Sequence, residues 1–326
     1  MTGAGAQWSQ FAEKPEDWYR GPEGRRIAAN ILSYQTAAGD WPKNTDTSAK
    51  TFEGDPAKLH GTFDNGASVG ELRFLARAYA ATKDSQIHAA FLKGMDHILA
   101  AQYENGGWPQ TSPPGEKYPR YITFNDNTMV NLMGFVRDVA NSQDFAFVDE
   151  SRRASARRAF DAGVACILKC QLKVDGVLTA WCAQHDEKTF EPKPARAYEL
   201  VSLSGAESAG ILSLLMSLER PSAEVVQAIE GGVHWFERAK LTGIRQEIVS
   251  GNKVIVDDPN APPVWARFYE IGTNRPFFCG RDGVKKYRLA DIEAERRNNY
   301  AWYGIWGTKV KESFARWSAS HRPGSK

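Results

Sequence analysis

Nothing in this sequence pairs its cysteines or histidines as metal ligands. The four cysteines, Cys166, Cys170, Cys182 and Cys279, form no CxxC pair, and the six histidines show no ligand spacing. That excludes a zinc-finger-like site. Cys166 and Cys170 stand four apart on an expected helix and read as small buried hydrophobes. A Cys170–Cys182 bridge stays open. No apolar run approaches the roughly 18 residues a membrane span needs. The start, Met1-Thr2-Gly3, lacks the charged and apolar regions of a signal peptide. The chain is therefore expected to be cytosolic or a module cut from a longer precursor. There is no phosphate-cradling loop, nucleophile elbow or dinucleotide fingerprint. Net charge is only +2, which says little about partners. The basic residues Arg267, Arg275, Arg281, Lys285, Lys286, Arg288, Arg296 and Arg297 do cluster near the C-terminus, as an anionic ligand or a solvated surface would have it.

What the chain does have is a repeat. Ile31-Leu32-Ser33-Tyr34-Gln35 is followed six residues later by Trp41. Ile98-Leu99-Ala100-Ala101-Gln102 is followed at the same distance by Trp108. Ile167-Leu168-Lys169-Cys170-Gln171 leads to Trp181 with four extra residues. The starts are 67 and 69 residues apart, an internal repeat. Between these phrases lie further helical patterns, Ser68–Ala81, Thr128–Ala140 and Glu207–Leu218. Strand signals are confined to short candidates such as Val254–Val256. Helix pairs of this length bury their faces only against neighbours. The expected fold is all-α, an α/α toroid of about three antiparallel helix pairs, with Glu224–Ala239 and Leu289–Trp317 completing it. Long loops would form a cleft at one end. Residues 1–20 read as a loose leading segment, 240–285 as long loops, and 1–326 as a single catalytic domain.

The long loops hold the candidate chemistry. Thr62-Phe63-Asp64-Asn65 and Thr123-Phe124-Asn125-Asp126-Asn127 each lead from an aromatic residue to an acid just before a helix. Capping accounts for either acid alone. As equivalent positions in adjacent repeats, Asp64 and Asp126 would converge. They would then bind a hard cation such as Ca²⁺, or act as the acid and base of a glycosidase. Trp41, Trp108 and Trp181 read as packing wedges between repeats, with a sugar platform as the other reading. Arg196, in Pro194-Ala195-Arg196-Ala197-Tyr198-Glu199, falls roughly where the third repeat should carry its acid. Glu199 could simply pair with a nearby cation. Lys117-Tyr118-Pro119-Arg120-Tyr121, Trp265-Ala266-Arg267-Phe268-Tyr269 and the segment ending in Arg281 interleave cations with aromatics. That suits a polymer with carboxylates and ring faces, or single-stranded nucleic acid.

Together these motifs resemble the pectate lyases of polysaccharide lyase family ten, over about residues 16 to 310. The resemblance implies an α/α toroid that cleaves polygalacturonate by Ca²⁺-dependent β-elimination. It implies a secreted monomer that engages neither nucleic acid nor membrane, so the missing signal peptide suggests an excised catalytic domain. It casts Asp64 and Asp126 as holding Ca²⁺ against the substrate carboxylate, and Arg196 as the base taking the C5 proton. Asn65, Lys117, Arg120, Tyr121, Arg267 and Arg281 would bind substrate. The rivals are a toroid hydrolase using Asp64 and Asp126, and a non-catalytic polyanion-binding helical module. A terpene-cyclase-like reading of the Gln-to-Trp repeat is weaker, because no acid-rich cationising motif is present.

Overall fold

The structure is a computed structural model that describes residues 7–321. The chain divides into two compact units, Met1–Cys166 and Ile167–Lys326.

In the first unit, Pro22–Ser33 starts with proline at its first position after Gly21, where a missing N–H costs nothing. Val69–Thr82 ends at Lys83 in the left-handed region. Asp84 then accepts from Gln86 N and Ile87 N and starts Ser85–Ala100. Only a two-residue break separates these helices, so they pack back to back. Thr128–Asn141 and the start of Glu150–Cys170 follow. Residues 9–20, expected to be loose, form the short helices Ser9–Ala12 and Glu16–Arg20 instead. Phe11, Trp18 and Tyr19 hold this segment down by packing on Phe74.

The repeat has a physical basis. The indole N–H of Trp41 donates to the carbonyl of Ile31 (2.8 Å), that of Trp108 to Ile98 (2.9 Å) and that of Trp181 to Ile167 (2.8 Å). Each Gln side chain bridges two carbonyls through Nε2. Gln35 donates to Gly39 and Ala90, Gln102 to Gly106 and Ala159, and Gln171 to Thr179 and Ala228. Gly39 (φ 112) and Gly106 (φ 90) present those acceptors from backbone conformations that favour glycine. The three tryptophans are fully buried, so they are wedges and not sugar platforms.

In the second unit, Gly205–Leu215, Ala223–Ala239 and Trp306–Ser320 pack on one another. The indole of Trp265 donates to the carbonyl of Phe236 (2.8 Å), a fourth turn of the same device in which Phe236 has replaced isoleucine and no glutamine follows.

The all-α expectation is overturned. Helix makes up about 48% of the chain and strand about 12%, as twelve short strands among the described residues. Leu203–Ser204, Phe268–Tyr269, Pro276–Cys279 and Lys285–Lys286 form a four-stranded antiparallel sheet. Residues 240–285, expected as loops, also contain the hairpin Ile244–Val249 and Asn252–Asp257. Its two turn residues, Ser250 (φ 48) and Gly251 (φ 77), both have positive φ, the two-residue turn that matches strand twist. All four cysteines are buried and none is in a disulfide, so the Cys170–Cys182 bridge is not formed.

Candidate active site

The two acid-bearing turns can be read residue by residue. Thr62 N donates to Trp41 O (3.0 Å) and Thr123 N to Trp108 O (3.1 Å), so these threonines are equivalent. The chain then enters the short 3-10 turns Asp64–Gly66 and Asn125–Asn127. Phe63 and Phe124 share one backbone conformation, as do Asn65 (φ 54, ψ 28) and Asp126 (φ 50, ψ 32). The structural partner of Asp64 is therefore Asn125, and that of Asp126 is Asn65. The expected equivalence of the two acids is off by one residue. The two turns nonetheless pack against each other.

Asp64 is 3% exposed. The ammonium of Lys43 lies on its Oδ2, and Asn65 N donates to its Oδ1 at 2.9 Å. The Asn65 side chain donates to Asn44 Oδ1 (3.1 Å). Asp126 is half-buried, and its Oδ2 accepts from Asn125 Nδ2 at 2.8 Å. Gln110 ties the Lys117–Tyr121 segment to this place. Its carbonyl accepts from Phe63 N (3.0 Å) and Thr62 Oγ1 (2.9 Å), while its N–H donates to Pro119 O (2.8 Å). Lys117 is exposed, and Arg120 and Tyr121 are half-buried. The first unit thus gathers Asp64, Asn65, Asp126, Lys117, Arg120 and Tyr121. The donors offered by the acid turns are carboxylate and amide oxygens, the hard set that suits Ca²⁺. Among the described residues no group of three or more His, Cys, Asp or Glu side chains forms a metal cluster. The acid turns offer two carboxylates, Asp64 and Asp126, and the amides Asn65 and Asn125 as oxygen donors of that hard kind.

The second unit gathers the arginines. Glu199 N donates to Arg196 O at 2.8 Å, a tight turn that folds the Glu199 side chain back onto Arg196. Arg196 is accordingly not the third repeat's counterpart of the acids. That counterpart follows Ser204, whose N–H donates to Trp181 O (2.8 Å). Glu199 is buried. It accepts from Arg196 Nε (2.7 Å), Arg196 N (3.1 Å) and, through its other oxygen, Arg196 Nη2. The Tyr300 hydroxyl donates to Glu199 Oε1 (2.9 Å). Burial acts to lower the pKa of Arg196, but the bonds and charge of Glu199 outweigh it, and the net effect is upward. Arg196, Arg281 and Arg296 all stack on the Tyr198 ring, at 5.0, 5.8 and 4.5 Å from its centroid. Arg267 is buried, stacked 4.7 Å from the Tyr300 centroid and ion-paired with Glu207. Arg281 is exposed and forks onto Glu295 (2.9 and 3.1 Å). Burial raises the pKa of Tyr300 well above its usual value, with Glu199 and Glu207 adding to the rise. The hydroxyl is therefore a donor.

Lys43, Asn44, Tyr300 and Glu207 are not among the site residues expected from the sequence, and Arg296 is expected only as one of the basic C-terminal cluster. Lys43 could have been found, since it follows Trp41-Pro42 on the same loop as Asp64. Tyr300 stands 101 residues from Glu199, and nothing local marks it.

The model of the pectic acid lyase family matches residues 35–311. The chain belongs to that family and is a pectate lyase. Among solved structures, the family 10 polysaccharide lyase from Cellvibrio cellulosa is 36% identical, with a TM-score of 0.84 over 94% of this chain and 97% of that one. An aspartate-to-alanine mutant of a family 10 polysaccharide lyase from the same organism, in complex with trigalacturonic acid, is also 36% identical. It matches with a TM-score of 0.82 over 93% and 96% of the two chains. Among curated proteins no match is found.

Proposed function

We propose that this enzyme cleaves polygalacturonate by Ca²⁺-dependent anti β-elimination, secreted and acting as a monomer. The observation that carries this is the gathering of Asp64 and Asp126 on touching turns, in a family relative of a lyase that binds trigalacturonic acid. Asp64 and Asp126 would hold the cation. When bound, it supplies positive charge next to the substrate carboxylate, where negative charge builds as H5 leaves. Arg196 takes that proton. The C5–H bond breaks, its electron pair forms the C4–C5 double bond, and the C4–O4 bond breaks, the leaving oxygen taking a proton from solvent. Arg267 and Arg281 act on substrate carboxylates, for which a guanidinium fork is the natural partner. Asn65, Lys117, Arg120 and Tyr121 line the polymer's path.

The base must be neutral to accept a proton, and Glu199 favours the charged form. Activity should therefore rise toward alkaline pH. Product absorbance from polygalacturonate, followed with Ca²⁺ and then with chelator, is the test. Unsaturated product that appears with Ca²⁺ and ceases in chelator is expected. Chain shortening without an unsaturated product, unaffected by chelator, would instead mark a hydrolase.

A further inference from the structure

We propose that Glu199 is a positioning residue that fixes which nitrogen of Arg196 receives the proton. The inference rests on the reading of Arg196 as base.

Three Arg196 donors, the backbone N–H, Nε and Nη2, all point at Glu199. Among the described residues Nη1 makes no hydrogen bond. A carboxylate that accepts from Nε–H and Nη2–H excludes the tautomer deprotonated at Nε, and it disfavours the one deprotonated at Nη2, whose remaining imine N–H is a poorer donor to a carboxylate than an amino N–H. When Arg196 loses a proton, the loss then falls on Nη1, which becomes the imine nitrogen with its lone pair free. Without the fork, three tautomers compete and the guanidine rotates. A carboxylate holding a catalytic imidazole in one tautomer does the same work in serine hydrolases. In the step, the C5–H bond breaks and an N–H bond forms at Nη1, giving the guanidinium, which afterwards returns its proton to water.

The surroundings support a fixed fork. Glu199 is buried, and Tyr300 donates to the oxygen that also takes Nη2. The charged or titratable groups around the pair are Tyr198, Tyr300, Arg267 with its partner Glu207, Arg296, and Arg281 with its partner Glu295. Glu199 is the carboxylate that bonds Arg196 itself. It therefore has two opposed effects, since its charge resists loss of the proton and its geometry makes the loss productive.

The test uses the full chain with Ca²⁺ and polygalacturonate, following kcat and KM across pH. In Glu199→Gln the charge is gone and the fork is imperfect. The expected result is a kcat lower by about 10²-fold, a KM within about twofold, and a rise with pH that flattens at lower pH than in the wild type. A Glu199→Gln profile parallel to the wild type throughout would overturn the inference. Should Glu199→Gln not fold, Glu199→Asp decides. It keeps the charge but draws it back by one methylene, so kcat should fall at least tenfold with the profile's shape unchanged, and full kcat would overturn the inference. Arg196→Ala separates the two levels. If it still makes unsaturated product, the base assignment is wrong. If it is inactive while Glu199→Gln stays parallel, only the role of Glu199 falls.

Discussion

In the first repeat, the residue after Thr62-Phe63 is an acid and the next an amide. In the second, after Thr123-Phe124, the amide comes first and the acid second. The backbone is the same in both turns. The first position is buried in each (Asp64 3%, Asn125 4% exposed), while the second is in the left-handed region and more open. Duplicating a turn and exchanging two residues of similar shape thus yields two carboxylates at different depths. Asp64 lies inside, held by Lys43 and by the N–H of Asn65. Asp126 lies outside, steadied by the amide of Asn125. Two acids at equivalent positions would have shared one environment.

The largest effect should come from erasing that difference. Exchanging Asp64→Asn with Asn65→Asp gives the first turn the order of the second. Aspartate tolerates the left-handed position nearly as well as asparagine, so the fold should survive. Activity should fall by about 10²- to 10³-fold, the scale for losing a group that meets developing charge. Product absorbance and thermal unfolding, measured on one sample, check both halves. Wild-type activity would mean that the depth of the acid is irrelevant.

The sequence announces the repeat clearly because each marked residue does one task. The Gln side chain spans two carbonyls and the Trp indole caps a third, and few substitutes reach both. The shift of one residue between the acids is hidden, since Asp and Asn are equally at home in capping and left-handed positions. Most strands are hidden as well. Two-residue pairings such as Leu203–Ser204 with Phe268–Tyr269 carry no periodicity, and their partners are distant. The Ser250-Gly251 hairpin is different. It offered a recognisable two-residue turn between β-rich runs, and Val254–Val256 was only its second strand. The Arg196–Glu199 fork needs the turn between them, which an arginine and an acid three apart in a loop do not specify.

Counting on from Thr62 and Thr123 brings Glu71 opposite Leu132, and both are buried. Burial pushes the Glu71 carboxyl up to about 7, even though Thr47 donates to it at 2.9 Å. Below about pH 4.5, folded and unfolded chains both hold the proton, so there is no penalty. Between about pH 4.5 and 7 only the unfolded chain ionises, and stability falls. Above about pH 7 the loss is complete, at about 3 kcal/mol. Glu71→Gln should remove this fall, seen as urea midpoints that no longer drop between pH 5 and 8. In the second unit, burial lowers His185 to about 4. Its stability contribution is therefore present above about pH 6.5 and is lost as pH falls toward 4. Hydrogen exchange resolved by unit should show opposite pH trends, and parallel trends would refute both assignments.

The smallest effect bears on the shared backbone itself. At φ 54 and φ 50, an alanine in place of Asn65 or Asp126 meets the left-handed penalty of about 1–2 kcal/mol. Glycine meets none there and costs only the added freedom of the unfolded chain, up to about 1 kcal/mol. If the turns are equivalent, Asn65→Ala and Asp126→Ala should lower stability equally, and each should be less stable than its glycine counterpart. Urea unfolding without Ca²⁺ measures this apart from catalysis. A difference between the alanine variants larger than that between alanine and glycine at either position would mean side-chain bonds, chiefly Asn125 to Asp126 and Asn65 to Asn44, hold these turns more than the backbone does. The two acids would then owe their positions to different causes.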